Sequence, residues 1–223
     1  MDKKLEKMIE KLNIKLKEMF DKDETGHNID HLQRTMRNAL LLQKTEGGNI
    51  NVVAISALLH DIHRIMTDDQ RKFVSPKDSL PIVKEILDDI DLTQKEKDHI
   101  CYAIEHHEEY SFGGGKVTVT DIESKILQDA DNLDGTGAIG IGRTFAFGSA
   151  HKIPFYDQSF PLQQGEYFED GNLDPSTIHH CINKLARLDQ TMNTKTGKEI
   201  CKSRCEFIKT FVAQFIKEWQ GHE

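Results

Sequence analysis

The sequence predicts an all-α fold, and three observations predict it. Apolar residues recur at i, i+3, i+4 and i+7 in one segment after another. No segment sustains the apolar/polar alternation of a half-buried strand. The segments are bounded by helix signals, among them Thr93-Gln94-Lys95-Glu96 and Thr120-Asp121-Ile122-Glu123, which read as capping boxes, and Gly47-Gly48, which reads as a stop. The expectation is a bundle of roughly eight helices.

Taken in order, residues about 3–20 form a charged amphipathic helix through Leu5, Met8, Ile9, Leu12, Leu16 and Phe20, broken by 21–26. A second helix runs from about Asp30 to Thr45. A third starts near Asn51, where Ile55, Leu58, Leu59 and Ile62 make one buried stripe. Ser75 to Ser79 is a turn, Leu80 to Ile90 a short helix, and Thr93 opens a helix to about Tyr110, with His99, Tyr102, Ala103 and His106 on one face. The glycine-rich 111–116 lacks the GK[ST] ending of a phosphate-cradling loop and reads as a connector or cleft rim. Thr120 begins the next helix through Ile122, Ile126, Leu127, Ala130 and Leu133. The small-residue run 137–148 is a closely packed helix. Residues 149–173 have no clear period, and their aromatics are open to two readings, anchors of an ordered loop or a stacking surface for a base. Asp174-Pro175 starts a helix through Ile178, Ile182, Leu185 and Leu188, and a last helix from about 196 to 219 closes the core.

The chain of 223 residues is long enough for one substantial core, and no stretch resembles an inter-domain linker, so 1–223 is expected to be a single domain. With 29 basic against 37 acidic residues and a formal charge of −8, a stable nucleic-acid partner is not expected. No apolar run is long enough to span a bilayer and no signal-peptide core follows the charged start, which points to the cytoplasm and away from a membrane. Cys101, Cys181, Cys201 and Cys205 form no dense framework and are expected as thiols.

Chemistry concentrates at Ala57-Leu58-Leu59-His60-Asp61-Ile62-His63-Arg64, where an apolar run ends in adjacent His and Asp. A carboxylate beside a core is costly unless compensated, and a divalent metal would compensate both side chains at once. Two neighbours on one helix do not make a site, so other segments must contribute. Upstream stands His27-Asn28-Ile29-Asp30-His31-Leu32-Gln33-Arg34, and downstream Gln128-Asp129-Ala130-Asp131-Asn132-Leu133-Asp134. Three helices could converge on one ion.

His31 with Arg34, His60-Asp61 after an apolar run, and Asp131 in an Ala-Asp-x-Leu-Asp segment resemble the ordered H…HD…D signature of the HD-domain metal-dependent phosphohydrolases. His180 to Leu185, Met192-Asn193-Thr194 and Arg204…Phe207…Phe211…Phe215…Glu218-Trp219 are similar to the tail of its small single-domain bacterial and archaeal branch, some of whose members are nucleotide pyrophosphohydrolases. The likeness runs from about His27 to Trp219.

The resemblance implies an HD-domain helical bundle with a metal-binding core at about 27–135 and C-terminal helices at about 174–219 closing it. It also implies a divalent ion (Mn²⁺, Mg²⁺, Co²⁺, Ni²⁺ or Fe²⁺) held by His31, His60, Asp61 and Asp131. Asp61 is expected to serve catalysis as well as the metal, and His106 to be a substrate contact or general acid. Arg34, Arg64, Arg143 and Lys184 are the candidates for binding a small phosphorylated substrate, expected to be a nucleotide. Asp129 and Asp134 compete with Asp131 by proximity; motif position favours Asp131 and leaves Asp134 to support a ligand. Arg143 fits either the cleft or a salt bridge to Asp129 or Asp134. Some branches carry a carboxylate just after the His-Asp pair and this sequence does not. The expected reaction is hydrolysis of a nucleotide or related phosphate compound by an activated water, with nucleoside triphosphate giving monophosphate and pyrophosphate. A phosphodiesterase, a nucleotidase or a non-catalytic nucleotide sensor are the alternatives, and a homodimer is left open.

Overall fold

The computed structural model describes residues 2–20, 26–66, 74–109, 119–162 and 174–222, and every regular element in them is helical. The α-helices are α1 (Lys3–Met19), α2 (Ile29–Glu46), α3 (Ile50–Leu59), α4 (Leu80–Asp88), α5 (Gln94–His106), α6 (Ile122–Asp134), α7 (Gly137–Ala150), α8 (Thr177–Asn183) and α9 (Lys195–Trp219). Short 3-10 helices cover His60–Ile65, Pro76–Ser79 and Leu185–Gln190. Nine α-helices among the described residues match the bundle of roughly eight that was expected, and the segment after Asp174 divides into α8 and a separate 3-10 turn.

The axle of the bundle is α3. Every residue from Val52 to Leu59 is buried, because α1, α2, α5 and α6 all pack against it. The single apolar stripe expected there is therefore replaced by a helix that is apolar all round, as a fully enclosed helix must be. Each fully buried Val, Leu or Ile side chain contributes about 1.5–3 kcal/mol, so α3 and its neighbours dominate the core. The consequence for function is direct. The first polar side chains after this run, His60 and Asp61, emerge inside the protein rather than at its surface.

Local signals explain most boundaries. Asn28, Asn49 and Thr93 cap α2, α3 and α5 with their side chains, and Thr93 with Glu96 forms the expected capping box. Gly47 stops α2 at φ +84, a left-handed conformation that suits glycine. Two expected starts are corrected. Asp121 rather than Thr120 caps α6, because Glu123 turns away to accept the Asn49 amide at 2.7 Å. Ser176 caps α8, leaving Asp174 to hold His180 and Asn183 at 2.7 Å each.

The small-residue run does form a closely packed helix. A Cβ on Gly140 would stand 2.2 Å from the Gly135 carbonyl oxygen, so glycine is needed where α7 folds back on the end of α6. That tight return brings Arg143 to Asp134. The four cysteines are buried thiols, as expected. Among the described residues no helix is long and apolar enough to cross a membrane. The glycine-rich 111–116, Tyr110, and Tyr167 and Phe168 lie outside the described residues.

Candidate metal centre

Three helices converge as the motif spacing requires. His31 comes from the first turn of α2, His60 from the end of α3, Asp61 from the 3-10 turn that follows, and Asp131 from the last turn of α6. His31 Nε2 lies 3.2 Å from His60 Nε2, 3.3 Å from Asp61 Oδ2 and 3.4 Å from Asp131 Oδ1. His60 Nε2 lies 3.6 Å from Asp61 Oδ1 and 3.6 Å from Asp131 Oδ1.

Hydrogen bonding on the far side of each ring fixes what these atoms are. His60 Nδ1 donates to the Ala57 carbonyl at 2.9 Å, and His31 Nδ1 donates to the Asp134 carboxylate at 2.7 Å. A neutral imidazole that donates from Nδ1 presents a lone pair at Nε2. Two such lone pairs and two carboxylates facing one another demand a cation between them. A divalent ion about 2.1 Å from each donor would set neighbouring donors about 3.0–3.5 Å apart. The spacing and the mixed N/O chemistry of the donors therefore fit a divalent ion.

The electrostatics state the same demand. Burial alone would lower the His31 pKa, but Asp131, Asp134 and Asp61 outweigh it and raise it to about 10, so a proton takes the cation's part. His60 is also raised, burial being outweighed by Asp61 and Asp131. Burial opposes charge on Asp61 and Asp131, yet the surrounding imidazoles hold both carboxyls well below the ordinary range. Of the four, only Asp131 keeps appreciable exposure, 24% of its side chain, which marks the side from which a ligand reaches the cluster.

Around this cluster lies a second set of contacts. Asp134 accepts Arg34 Nε at 2.7 Å, Arg34 Nη2 at 3.0 Å and Arg143 Nη1 at 2.9 Å besides His31. Arg34 thus steadies a ligand-supporting carboxylate, and the salt-bridge reading of Arg143 is the one found. Arg143 Nη2 also approaches His27 Nδ1 at 3.5 Å, and His27 Nδ1 lies 2.8 Å from Asp61 Oδ2. Arg64 Nε stands 3.5 Å from Asp61 Oδ1, while its Nη2 bonds Glu108. Asp129 is occupied elsewhere: it takes the Asn193 and Thr194 amides at 2.7 and 2.8 Å and fixes the approach to α9. The charge of Lys184 falls on His180 at the end of α8.

The expectation for α5 is corrected by one residue. His106 turns outward to Glu109 at 2.9 Å and lies tilted against the Tyr102 ring, whereas His107 is buried with its ring 5.1 Å from that of His60. The buried face of α5 is Ile100, Ala103 and Ile104, and its i+3 and i+4 continuation is His107. His107 Nδ1 donates to the Ile104 carbonyl at 2.7 Å and His63 Nδ1 to the His60 carbonyl at 3.2 Å. Both leave Nε2 buried and without a hydrogen-bond partner. Burial, then the nearby His60, lowers the His107 pKa to about 4, so this ring is neutral at ordinary pH. Glu108 Oε1 lies 3.5 Å from His63 Nε2. Burial would raise its pKa, but His63 and Arg64 bring it to about 2. The carboxylate missing after His60-Asp61 is thus delivered by another helix. His63, His107 and Glu108 form a further donor group beside Asp61.

Comparison with known proteins agrees with this geometry. Residues 28–136 match the family model described as HD domain. A crystal structure of an HD-superfamily hydrolase from Bacillus thuringiensis is 30% identical, with a TM-score of 0.72, covering 97% of this chain and 98% of that one. A Lactobacillus plantarum protein is 29% identical with a TM-score of 0.76 over 97% of this chain and 98% of its own. YpgQ of Bacillus subtilis is 26% identical over 218 residues, 96% of this chain and 95% of its own. Its crystal structure in complex with ADP superposes with a TM-score of 0.72 at 24% identity, covering 96% of each chain. Three helices, an ordered H…HD…D set and this likeness along nearly the whole length lead to one conclusion: the chain belongs to the HD superfamily of metal-dependent phosphohydrolases.

Proposed function

We propose that the chain, as one domain, hydrolyses a nucleotide at this centre, with nucleoside triphosphate to monophosphate and pyrophosphate as the leading reaction. The observation that carries the reading is the placing of cations beside the open edge of the cluster. Arg64 contacts Asp61 and feels the charge of Asp131, and Arg143 stands beside His27, the imidazole that donates to Asp61. Guanidinium forks in a partly buried setting are suited to phosphoryl oxygens. The YpgQ complex with ADP supports a nucleotide over other phosphate compounds. Phe155 and Phe160, each about half exposed on the irregular stretch after α7, offer faces for a base.

His31, His60, Asp61 and Asp131 would hold the divalent ion, which supplies Lewis acidity and makes a nearby water acidic. Asp134 and the Ala57 carbonyl keep both imidazoles in the tautomer that presents Nε2. Arg64 orients the phosphoryl group and balances charge that builds on it, while Arg143, paired with Asp134, holds the carboxylate behind His31. His107, neutral and with Nε2 free, accepts a proton from the attacking water, a general-base part that differs from the substrate contact or general acid expected of His106. Glu108 steadies Arg64 and faces His63. The Glu108 carboxylate, next to His63 and Arg64, supports a hydrolase over a non-catalytic sensor. Product analysis tests the reading. Incubation of triphosphates, monophosphates and cyclic nucleotides with Mn²⁺ or Co²⁺ should yield monophosphate and pyrophosphate from a triphosphate; phosphate alone, or attack only on a cyclic nucleotide, would replace it with a nucleotidase or phosphodiesterase.

A further inference from the structure

A cavity of about 350 Å³ opens where α2, the α6–α7 turn and α9 meet, lined by Arg34, Arg37, Asp134, Thr136 and Arg204 among others. Three guanidiniums in one hollow run against the character of a chain whose formal charge is −8. Among the described residues the only carboxylate on the wall is Asp134, and it is already committed to His31, Arg34 and Arg143. Among the described residues Arg37 and Arg204 have no carboxylate partner. Arg37 meets only the Gln33 side-chain oxygen, at 3.3 Å, and Arg204 Nη1 the Leu133 carbonyl, at 2.7 Å. Arg204 thereby keeps Nε and Nη2 for a ligand, and Arg34, which spends Nε and Nη2 on Asp134, keeps Nη1. The first residues of α7 complete the wall, and the Thr136 hydroxyl donates to the Leu133 carbonyl instead of capping their amides.

We infer that this cavity is a second anion site, separate from the metal centre, that takes a phosphate-class oxyanion on Arg34, Arg37 and Arg204. Two planar guanidiniums without a carboxylate partner, Arg37 and Arg204, beside the spare Nη1 of Arg34, suit a tetrahedral oxyanion. The volume holds a phosphate or pyrophosphate, or the phosphorylated end of a small molecule. The site is built onto the catalytic apparatus: Arg34 bonds Asp134, and Asp134 bonds the imidazole of His31. An anion here stands one carboxylate and one imidazole ring from the metal-facing atoms. A phosphohydrolase releases anions of this class, so the cavity is placed to register its own product.

Calorimetric titration with inorganic phosphate, pyrophosphate and ribose 5-phosphate tests this on the parent, Arg37→Glu and Asp61→Ala. None of these titrations needs turnover, so they stand apart from the nucleotide reading. The parent should bind at least one of the three, and the tightest binder distinguishes a free product anion from an organic phosphate. Arg37→Glu should weaken that binding at least tenfold, because it reverses the charge of a side chain that is exposed and held by one hydrogen bond. Its melting temperature without ligand should stay within about 2 °C of the parent. Asp61→Ala should bind the anion as the parent does. No binding to the parent at 10-fold excess over about 1 mM, equal binding by Arg37→Glu, or loss of binding in Asp61→Ala would each overturn the inference, the last by placing the anion at the metal centre.

Discussion

Replacing Asp134 by asparagine probes the support of the metal centre without touching a metal-facing atom. The Asp134 carboxylate accepts four charge-assisted bonds, at 2.7 Å from His31, 2.7 and 3.0 Å from Arg34, and 2.9 Å from Arg143. An amide keeps one oxygen, which at the Oδ2 position retains three of the four bonds, and turns an NH₂ on Arg34 Nε, so at least one is lost and the survivors lose their negative partner. Breaking a buried ion pair by removing one partner costs about 3–5 kcal/mol. Here Asp134 is 3% exposed but Arg34 and Arg143 keep 26% and 17%, and water relieves part of the stranded charge. A loss of about 2–3 kcal/mol follows, a fall in Tm of roughly 5–10 °C for a chain of this size. With a neutral amide in place of the carboxylate behind His31, metal affinity should drop about 10–100-fold. The Asp134 pKa, which burial would raise, is brought to about 2 by His31, Arg34 and Arg143. A depressed pKa contributes stability above the ordinary value of 3.8 that is lost as pH falls through about 2, so the Tm gap between parent and variant should close over that interval. Melting curves across pH and calorimetric Mn²⁺ titrations measure both effects. A variant with parental Tm and metal affinity within twofold would refute the reasoning.

Other consequences are as specific. His107→Ala should lower kcat at least about 100-fold with metal content intact, while His106→Ala, at the exposed end of the helix, should change it less than about twofold. Loading the metal-free protein should release protons, because His31 holds one up to about pH 10, and apparent affinity should therefore rise with pH; potentiometric titration reads this, and pH-independent affinity would contradict it. Gly140→Ala forces a Cβ to within 2.2 Å of backbone and should cost at least about 3 kcal/mol, whereas Gly142→Ala meets nothing within 4 Å and should add about 0.5–1 kcal/mol in denaturant unfolding. For Glu96, burial is outweighed by bonds from Asn51, Thr93 and Asn49 that lower its pKa to about 2, so the roughly 1 kcal/mol lost in Glu96→Gln should fade as pH falls from 4.5 toward 2.

How much could be read from the chain depends on the range of the forces involved. Helical period and caps are local, so α1, α2, α5 and α9 were legible within a few residues, and the ordered His and Asp motif picked out residues of which His31, His60 and Asp131 form one donor group with Asp61 3.3 Å from His31. The face of α5 was misassigned because His106 and His107 are equally polar. Only the run of Ile100, Ala103 and Ile104 distinguishes them. Glu108 was hidden for a different reason. A carboxylate can reach the cluster from any helix that ends there, and sequence proximity to His60-Asp61 is no guide to which one does. Arg34 illustrates the same limit: its positive charge was visible, but its pairing with Asp134, 100 residues away, is a tertiary fact, whereas Lys184 beside His180 is one helical turn and local.

The central claim is that a divalent ion on His31, His60, Asp61 and Asp131 drives phosphate-bond hydrolysis. The most direct measurement compares metal content and Mn²⁺-dependent release of phosphate or pyrophosphate from nucleotides by the parent and by Asp131→Ala, with circular dichroism as the control for folding. The account predicts about one ion per chain and turnover in the parent, with both lost in a variant of unchanged helix content. Full metal content and undiminished turnover in Asp131→Ala would contradict it.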